Sequence, residues 1–238
     1  FNGIDLTFAD NGQIYTIEGL TDGIAGTNAG SYENVITGTP VVRDAEGNDV
    51  TSEFQIVLTN GSLRIHPRTV IMTSASDSRE YNGRALTNNN VTVSGEGFIE
   101  GEGAVYDVTG SQTLAGSSQN SFTYALNEGT LADNYSVTTI PGSLTVTGRN
   151  AKYTIELEAK SDEVLYDGEP HAVSGLKNTR FAVDGNIYTV SGMRASVSAV
   201  HAGTYPVAIT GTPVVTDADG NDVSEQFAVT CVNGSLVI

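Results

Sequence analysis

The stretch "TGTPVVRDAEGNDV" (Thr37–Val50) returns as "TGTPVVTDADGNDV" at Thr210–Val223. Working outward from it, Ile14–Ile65 aligns with Ile187–Ile238 without a gap, and "IYT", "ITGTPVV", "GNDV" and "NGSL" are common to both. Such self-similarity marks a chain built from repeated supersecondary units. A weaker copy lies between the two. Its "DNYSVTTIPGSLTV" (Asp133–Val146) matches "SEFQIVLTNGSLRI" (Ser52–Ile65), and "REYNGRAL" (Arg79–Leu86) matches "VLYDGEPHAV" (Val164–Val173). The repeats therefore read as modules 1–66, 67–148 and 149–238, joined at His66–Arg68 and Gly148–Asn150. No Pro/Ser-rich linker separates them, which predicts a semi-rigid array.

The local pattern is β. "YTIELE" (Tyr153–Glu158), "TYPVAIT" (Thr204–Thr210) and "QFAVTCV" (Gln226–Val232) alternate or are rich in β-branched residues. Turn signals recur at Asn60-Gly61, Asn82-Gly83, Asp167-Gly168 and Asn233-Gly234. No segment has helical periodicity. The expected fold is all-β: tandem small antiparallel β-domains of about seven strands each in an elongated array. Cys231 aligns with Leu58, in phase with Phe227 and Val229, so it is expected as a buried apolar strand position rather than a reactive thiol.

Composition narrows the partners. The net charge is −17, and the only lysines are Lys152, Lys160 and Lys177. Such a surface repels phosphate backbones and anionic membranes, so neither nucleic acid nor membrane contact is expected. No run approaches the ~20 apolar residues of a membrane helix, and no signal peptide is visible. A single cysteine leaves no intrachain disulfide, consistent with a cytosolic protein or with the surface of a bacterium that uses few disulfides.

The acidic loop inside the repeat has two readings. An EF-hand needs Gly in its sixth place and Glu in its twelfth. Starting from Asp217 those places hold Asp222 and Ala228, and from Asp44 the sixth is Asp49, so that reading fails in both copies. In the middle repeat Asp44 and Glu46 become Ala125 and Asn127, whereas Asp49 and Asp222 become Thr130, followed by an apolar residue in every copy (Val50, Leu131, Val223). The favoured reading is a turn whose last Asp or Thr caps one helical turn, with an acid three places on as in a capping box, before Phe54, Tyr135 or Phe227 enters the core. The alternative is a weak calcium site at Asp217, Asp219 and Asp222, with Asp44, Glu46 and Asp49 as its counterpart. No other cofactor is expected.

Catalytic constellations are sparse. His66, His171 and His201 are not a repeated feature, and no HExxH, GxSxG or CxxC occurs. The chain is not expected to be an enzyme. "SGEGFIEGEGAVYD" (Ser94–Asp107) places Glu96, Glu100 and Glu102 around Phe98-Ile99. It reads as a hairpin with a solvated acidic rim, against the alternative of a cation or ligand loop.

The segments "YNGRALTNNNVTVSGEGF", "GAVYDVTGSQTLAGSSQNSFTYAL" and "ADNYSVTTIPGSLTVT" of the middle repeat resemble MBG-type (mostly β-grasp) repeats of bacterial surface proteins. So do "LYDGEPHAV", "AGTYPVAITG" and "NGSLVI" of the third. The first repeat fits from "NAGSYENVITG" onward but lacks the Tyr-Asp-Gly element. The resemblance covers nearly the whole chain. It implies a β-grasp-like module with one short helical turn, within a large exported, cell-wall-anchored protein of Gram-positive bacteria; the anchor motif itself is not in this sequence. The repeats would be a structural stalk spacing an adhesive or enzymatic domain from the wall, with neighbouring repeats as partners. The alternative is an adhesin whose own loops bind a host glycan or protein. The absence of Trp and 7% aromatic content weaken a sugar-stacking role. With no lysine in the first two repeats, neither can form the internal isopeptide crosslink common in surface modules.

The alignment also places Phe1–Ile4 against Val173–Leu176, so the first repeat has no counterpart of Arg149–Ala172. A truncated module with an open edge is expected there.

Overall fold

A computed structural model describes residues 4–238, with side chains from Leu6 onward. Among the described residues the regular secondary structure is nearly all strand, with one 3-10 turn in each repeat: Thr51–Glu53, Ala132–Asn134 and Ser224–Gln226. No helix is long and apolar enough to cross a membrane among the described residues. These residues gather into two compact units. One comprises the chain up to Thr73, with Thr92–Tyr106 and Tyr124–Ile140; the other comprises Ser74–Val91, Asp107–Thr123 and Pro141–Ile238. The middle sequence repeat contributes to both.

The third repeat lies wholly in the second unit and has the fullest strand set. Its hub is the long strand Asn186–Ala199, which pairs antiparallel with His171–Ser174, Arg180–Val183 and Ile209–Thr216. The hairpin at its start turns on Asp184-Gly185, with φ of 49° and 81°. Two successive positive φ values give a type I′ turn, whose twist suits a two-residue hairpin. Asn11-Gly12 makes the same turn in the first repeat, with φ of 49° and 80°. The four Asn-Gly and Asp-Gly pairs expected as turns lie elsewhere, in the connections ahead of short strands. Asn60 and Asn233, for example, spend their side-chain oxygens on the N–H of Ile36 and Ile209, both at 3.1 Å.

The third repeat also closes its beginning onto its end. Tyr153–Glu158 runs parallel to Phe227–Val232, and Asp162–Glu163 runs parallel to Gly234–Val237, which pairs antiparallel with Thr204–Val207. The strand "YTIELE" alternates as its sequence demands: Ile155 and Leu157 are buried, and Thr154 and Glu156 are exposed. Each buried aliphatic contributes about 1.5–3 kcal/mol of apolar transfer energy. They join Tyr188, Val190, Val215, Val223 and Phe227 in a core that also takes in Tyr81, Leu144 and Val146 of the middle repeat.

The middle repeat has the same parallel closures. In the first unit, Arg68–Ser74 pairs with Tyr135–Ile140. In the second, Asp77–Glu80 pairs with Gly142–Thr147, itself antiparallel to Gly116–Asn120. The all-β class and the antiparallel hairpins are as expected; the parallel ladders come in addition, because they join segments too far apart for turn signals to announce.

In the first repeat, Ile4–Asp10, Gln13–Thr21 and Thr37–Arg43 form one antiparallel sheet, and Gly30–Asn34 pairs with Gly61–Ile65. Phe54–Thr59, the counterpart of Phe227–Val232, is not in a strand. The expected start of this module falls partly on Phe1–Gly3, outside the described residues. The hairpin pairs Phe8 with Tyr15 as Phe181 pairs with Tyr188, so the ungapped match extends back at least that far.

Cys231 corrects an expectation. Phe227 is buried and Val229 half-buried, but burial fades along this strand and Cys231 is exposed. The strand pairs on one side only, and at this edge Cys231 is left uncovered although its partner Leu157 is fully buried.

Candidate functional site

The acidic turn is the most strongly repeated polar feature, and its geometry is the same in both copies. Asp44 Oδ1 accepts the N–H groups of Glu46 and Asn48 at 3.1 and 2.8 Å, while Oδ2 accepts the Asn48 amide at 2.9 Å. Asp217 accepts Asp219 N–H at 3.0 Å, Asn221 N–H at 2.8 Å and the Asn221 amide at 2.9 Å. The first Asp of each loop thus holds the loop closed through local side-chain-to-backbone bonds, the reason Asp favours turns.

The last Asp does something different. Asp222 Oδ1 accepts both the N–H and the hydroxyl of Ser224, at 2.9 and 2.6 Å, and the Ser224 oxygen in turn accepts Val215 N–H at 2.9 Å. Asp49, Thr51 and Val42 repeat this relay at 3.0, 2.6 and 2.8 Å. The relay fixes the turn to the strand carrying Val42 or Val215, both fully buried. Hydrogen bonds to the charged form lower a carboxyl's pKa. Asp49 and Asp222 are lowered chiefly by the Thr51 and Ser224 hydroxyls, and Asp44 chiefly by the Asn48 amide.

This corrects the expected cap. The residues that precede the 3-10 turns are Val50, Leu131 and Val223, and none makes a side-chain cap. The acid sits one place earlier and bonds two residues ahead, to Thr51 or Ser224, the first residue of the 3-10 turn. Thr130, in the middle repeat, accepts Gly103 N–H at 3.1 Å instead.

The proposed metal ligands are not brought together. Asp217 faces the interior of its own loop and Asp222 faces Ser224. Among the described residues, no three of His, Cys, Asp and Glu are placed to share a metal ion. The chemistry these carboxylates perform is turn closure.

The glutamate-rich loop is likewise engaged. Glu96 Oε2 accepts Thr69 N–H at 2.8 Å, and Arg68 donates to the Glu96 and Gly97 carbonyls. Phe98 packs edge-on against Tyr135 with ring centroids 4.9 Å apart, and Ile99 N–H reaches the Tyr135 hydroxyl at 3.3 Å. The loop is a cover for Tyr135. The histidines stay apart: His171 lies 3.0 Å from Asp167, His201 offers its carbonyl to Tyr205, and His66 lines a shallow hollow with Ile65, Arg68 and Tyr135.

The constellation that residue motifs did not reveal is aromatic. In the second unit Tyr153 and Tyr188 pack on Phe227, with centroids 5.5 and 4.7 Å away. Arg149 lies 3.8 Å above the Tyr153 ring, donates to the Tyr153 hydroxyl and the Tyr81 carbonyl at 3.1 Å each, and offers its own N–H to Gln226 at 2.9 Å. A desolvated guanidinium over an aromatic face adds about 0.5–2 kcal/mol. The joint expected at Gly148–Asn150 is therefore pinned on both sides by one residue. The signal in the sequence was the recurrent "IYT".

No protein-family model matches the chain, and neither does any curated protein or solved structure.

Proposed function

We propose that the chain is a structural spacer: the repeated, tension-bearing region of an exported, cell-wall-anchored bacterial surface protein, with no catalytic role of its own. The observation that carries this reading is the parallel pairing of strands from the start and the end of a repeat: Tyr153–Glu158 with Phe227–Val232 and Asp162–Glu163 with Gly234–Val237, and Arg68–Ser74 with Tyr135–Ile140 and Asp77–Glu80 with Gly142–Thr147. When a chain is pulled by its ends, parallel strands near its two ends are drawn past each other lengthwise. All their ladder bonds then share the force, whereas an antiparallel hairpin opens one bond at a time. The acidic surface suits the same role by keeping neighbouring stalks apart. The pinned joint at Arg149 passes tension between repeats without a slack linker.

Single-molecule pulling of the full chain from its two ends tests this. Resistance well above that of the Thr154→Pro variant, in which one residue of the parallel ladder loses its donor, is the expected result. Extension at the same low force in both proteins overturns the reading.

A further inference from the structure

We propose that Asn11 is a self-modifying site: its carboxamide condenses with the Gly12 nitrogen and then hydrolyses to an acidic residue without an enzyme, placing a covalent mark of age on the hairpin of the first repeat. This goes beyond the spacer reading and does not depend on it.

Five Asn-Gly pairs occur in the chain, beginning at Asn2, Asn11, Asn60, Asn82 and Asn233. Asn2-Gly3 lies outside the described residues. Glycine carries no side chain to shield its own nitrogen, so the other four pairs are chemically alike in an unfolded chain. The fold separates them.

At three of the four the asparagine is held. Asn60 accepts Ile36 N–H at 3.1 Å and donates to Glu33 at 2.7 Å, and Asn233 accepts Ile209 N–H at 3.1 Å. Their glycines open ladders, Gly61 opposite Asn34 and Gly234 opposite Val207. Asn82 accepts Arg84 N–H at 3.1 Å, and its carbonyl accepts the Asn186 amide at 3.0 Å. Gly83 lies against the Tyr188 hydroxyl, which a Cβ there would approach to 2.3 Å. Cyclisation swings the side chain and the following peptide group toward each other, so each of these sites must first open locally.

Asn11 has no such hold. It stands with Gly12 at the exposed tip of the type I′ hairpin. Among the described residues its carboxamide makes one hydrogen bond, a donation at 3.4 Å to the neighbouring Asp10, and its oxygen accepts none. The Gly12 N–H bonds to no described residue, and nothing lies within 4 Å of the place a Gly12 Cβ would take.

The step balances with water alone. The Gly12 nitrogen bonds to Asn11 Cγ, the Cγ–Nδ2 bond breaks, and the Gly12 proton leaves with Nδ2 as ammonia. Water then opens the imide. Attack at the side-chain carbonyl leaves Asp, and attack at the main-chain carbonyl leaves isoaspartate. The two products differ in consequence. Asp in this place copies Asp184, which holds the same φ of 49° in the third repeat. Isoaspartate adds a methylene to the main chain, which a two-residue turn cannot absorb without disturbing the ladder that pairs Phe8 with Tyr15.

The test ages the full chain at mildly alkaline pH, folded and in urea, and follows each site by peptide-mapping mass spectrometry. In urea the four sites should gain the mass shift of deamidation at similar rates. In the folded chain Asn11 should react faster than Asn60, Asn82 and Asn233 by about tenfold or more, because only they wait for local opening. Asn11→Gln should remove the shift from this tip. Amide exchange over Ile14–Ile17 should rise by about tenfold or more in the isoaspartate fraction of the aged chain, whereas Asn11→Asp should leave it unchanged. Equal rates at the four sites of the folded chain overturn the proposal. So does a folded chain in which Asn60, Asn82 or Asn233 reacts before Asn11.

Discussion

The Tyr81 and Tyr188 hydroxyls lie 3.4 Å apart with both rings 1% exposed, in a core that one repeat could not complete alone. Tyr81 belongs to the Tyr-Asn-Gly turn of the middle repeat and Tyr188 to the "IYT" strand of the third. Its contact is long for a hydroxyl pair, so packing rather than polarity should dominate its contribution. Tyr81→Phe should cost at most about 1 kcal/mol, and Tyr81→Ala about 3–5 kcal/mol. Urea unfolding of both variants checks this, and near-equal losses would assign the energy to the hydroxyl.

Alkaline pH should weaken the same unit. Burial pushes the Tyr81 hydroxyl far up, with Tyr188 adding to it, and pushes Tyr153 up in the same direction, with its hydrogen bond to Asp184 second. A folded pKa above the unfolded value means that the folded state holds its proton longer. The stabilisation is therefore complete below the ordinary tyrosine pKa of about 10 and is lost as pH rises beyond it. Thermal melts between pH 8 and 11 should show Tm falling only above pH 10, together with delayed ionisation in the tyrosine absorbance.

Much of the strand content could be read from the sequence because it rests on local alternation. "YTIELE" buries every second residue, as written. The type I′ hairpins at Asn11-Gly12 and Asp184-Gly185 carry the standard turn pair, but Asn60-Gly61, Asn82-Gly83, Asp167-Gly168 and Asn233-Gly234 carry it as well and are ordinary connections. The parallel ladders could not be read this way. Tyr153 meets Phe227 only after the whole repeat has folded between them, and no spacing rule marks that partnership. Cys231 differs for a related reason: phase along a strand predicts which face a residue occupies, not whether an edge strand is covered there. The acidic loop was legible as a turn, but its hydrogen-bond relay to Val215 needed coordinates.

A close backbone approach gives a further test. Gly211, at φ +120°, would place a Cβ 2.2 Å from the Gly192 carbonyl, where the two strands shift register. Gly38 stands in the same relation to Gly19, again at 2.2 Å. A side chain there meets both a backbone clash and a disfavoured φ, together costing roughly 1–3 kcal/mol. Gly211→Ala should lower Tm by several degrees, and Gly38→Ala should do so in the first repeat, both measured by calorimetry. A neutral Gly211→Ala would mean that the strands can separate at the bulge without loss.

The final test separates turn chemistry from metal chemistry. Asp222 spends one oxygen on two donors of Ser224, and Asp217 is occupied by Asn221 and by backbone N–H groups. An ion would have to displace these bonds to gather the carboxylates. Melting temperature should therefore move by less than about 2 °C between chelator and millimolar calcium, where a shift of about ten degrees would correspond to roughly 1–3 kcal/mol for a domain this small. Substitution should discriminate further. Asp222→Asn keeps an acceptor oxygen for Ser224 and should cost little, whereas Asp222→Ala removes both bonds and should lower Tm more. The Asp222 carboxyl is held below its ordinary pKa by Ser224, so its contribution is present above the unfolded value near 4 and fades as pH falls through the folded one. The difference between wild type and Asp222→Ala should accordingly be largest near neutrality and shrink below pH 4. A difference that depends on calcium instead would return these carboxylates to the metal reading.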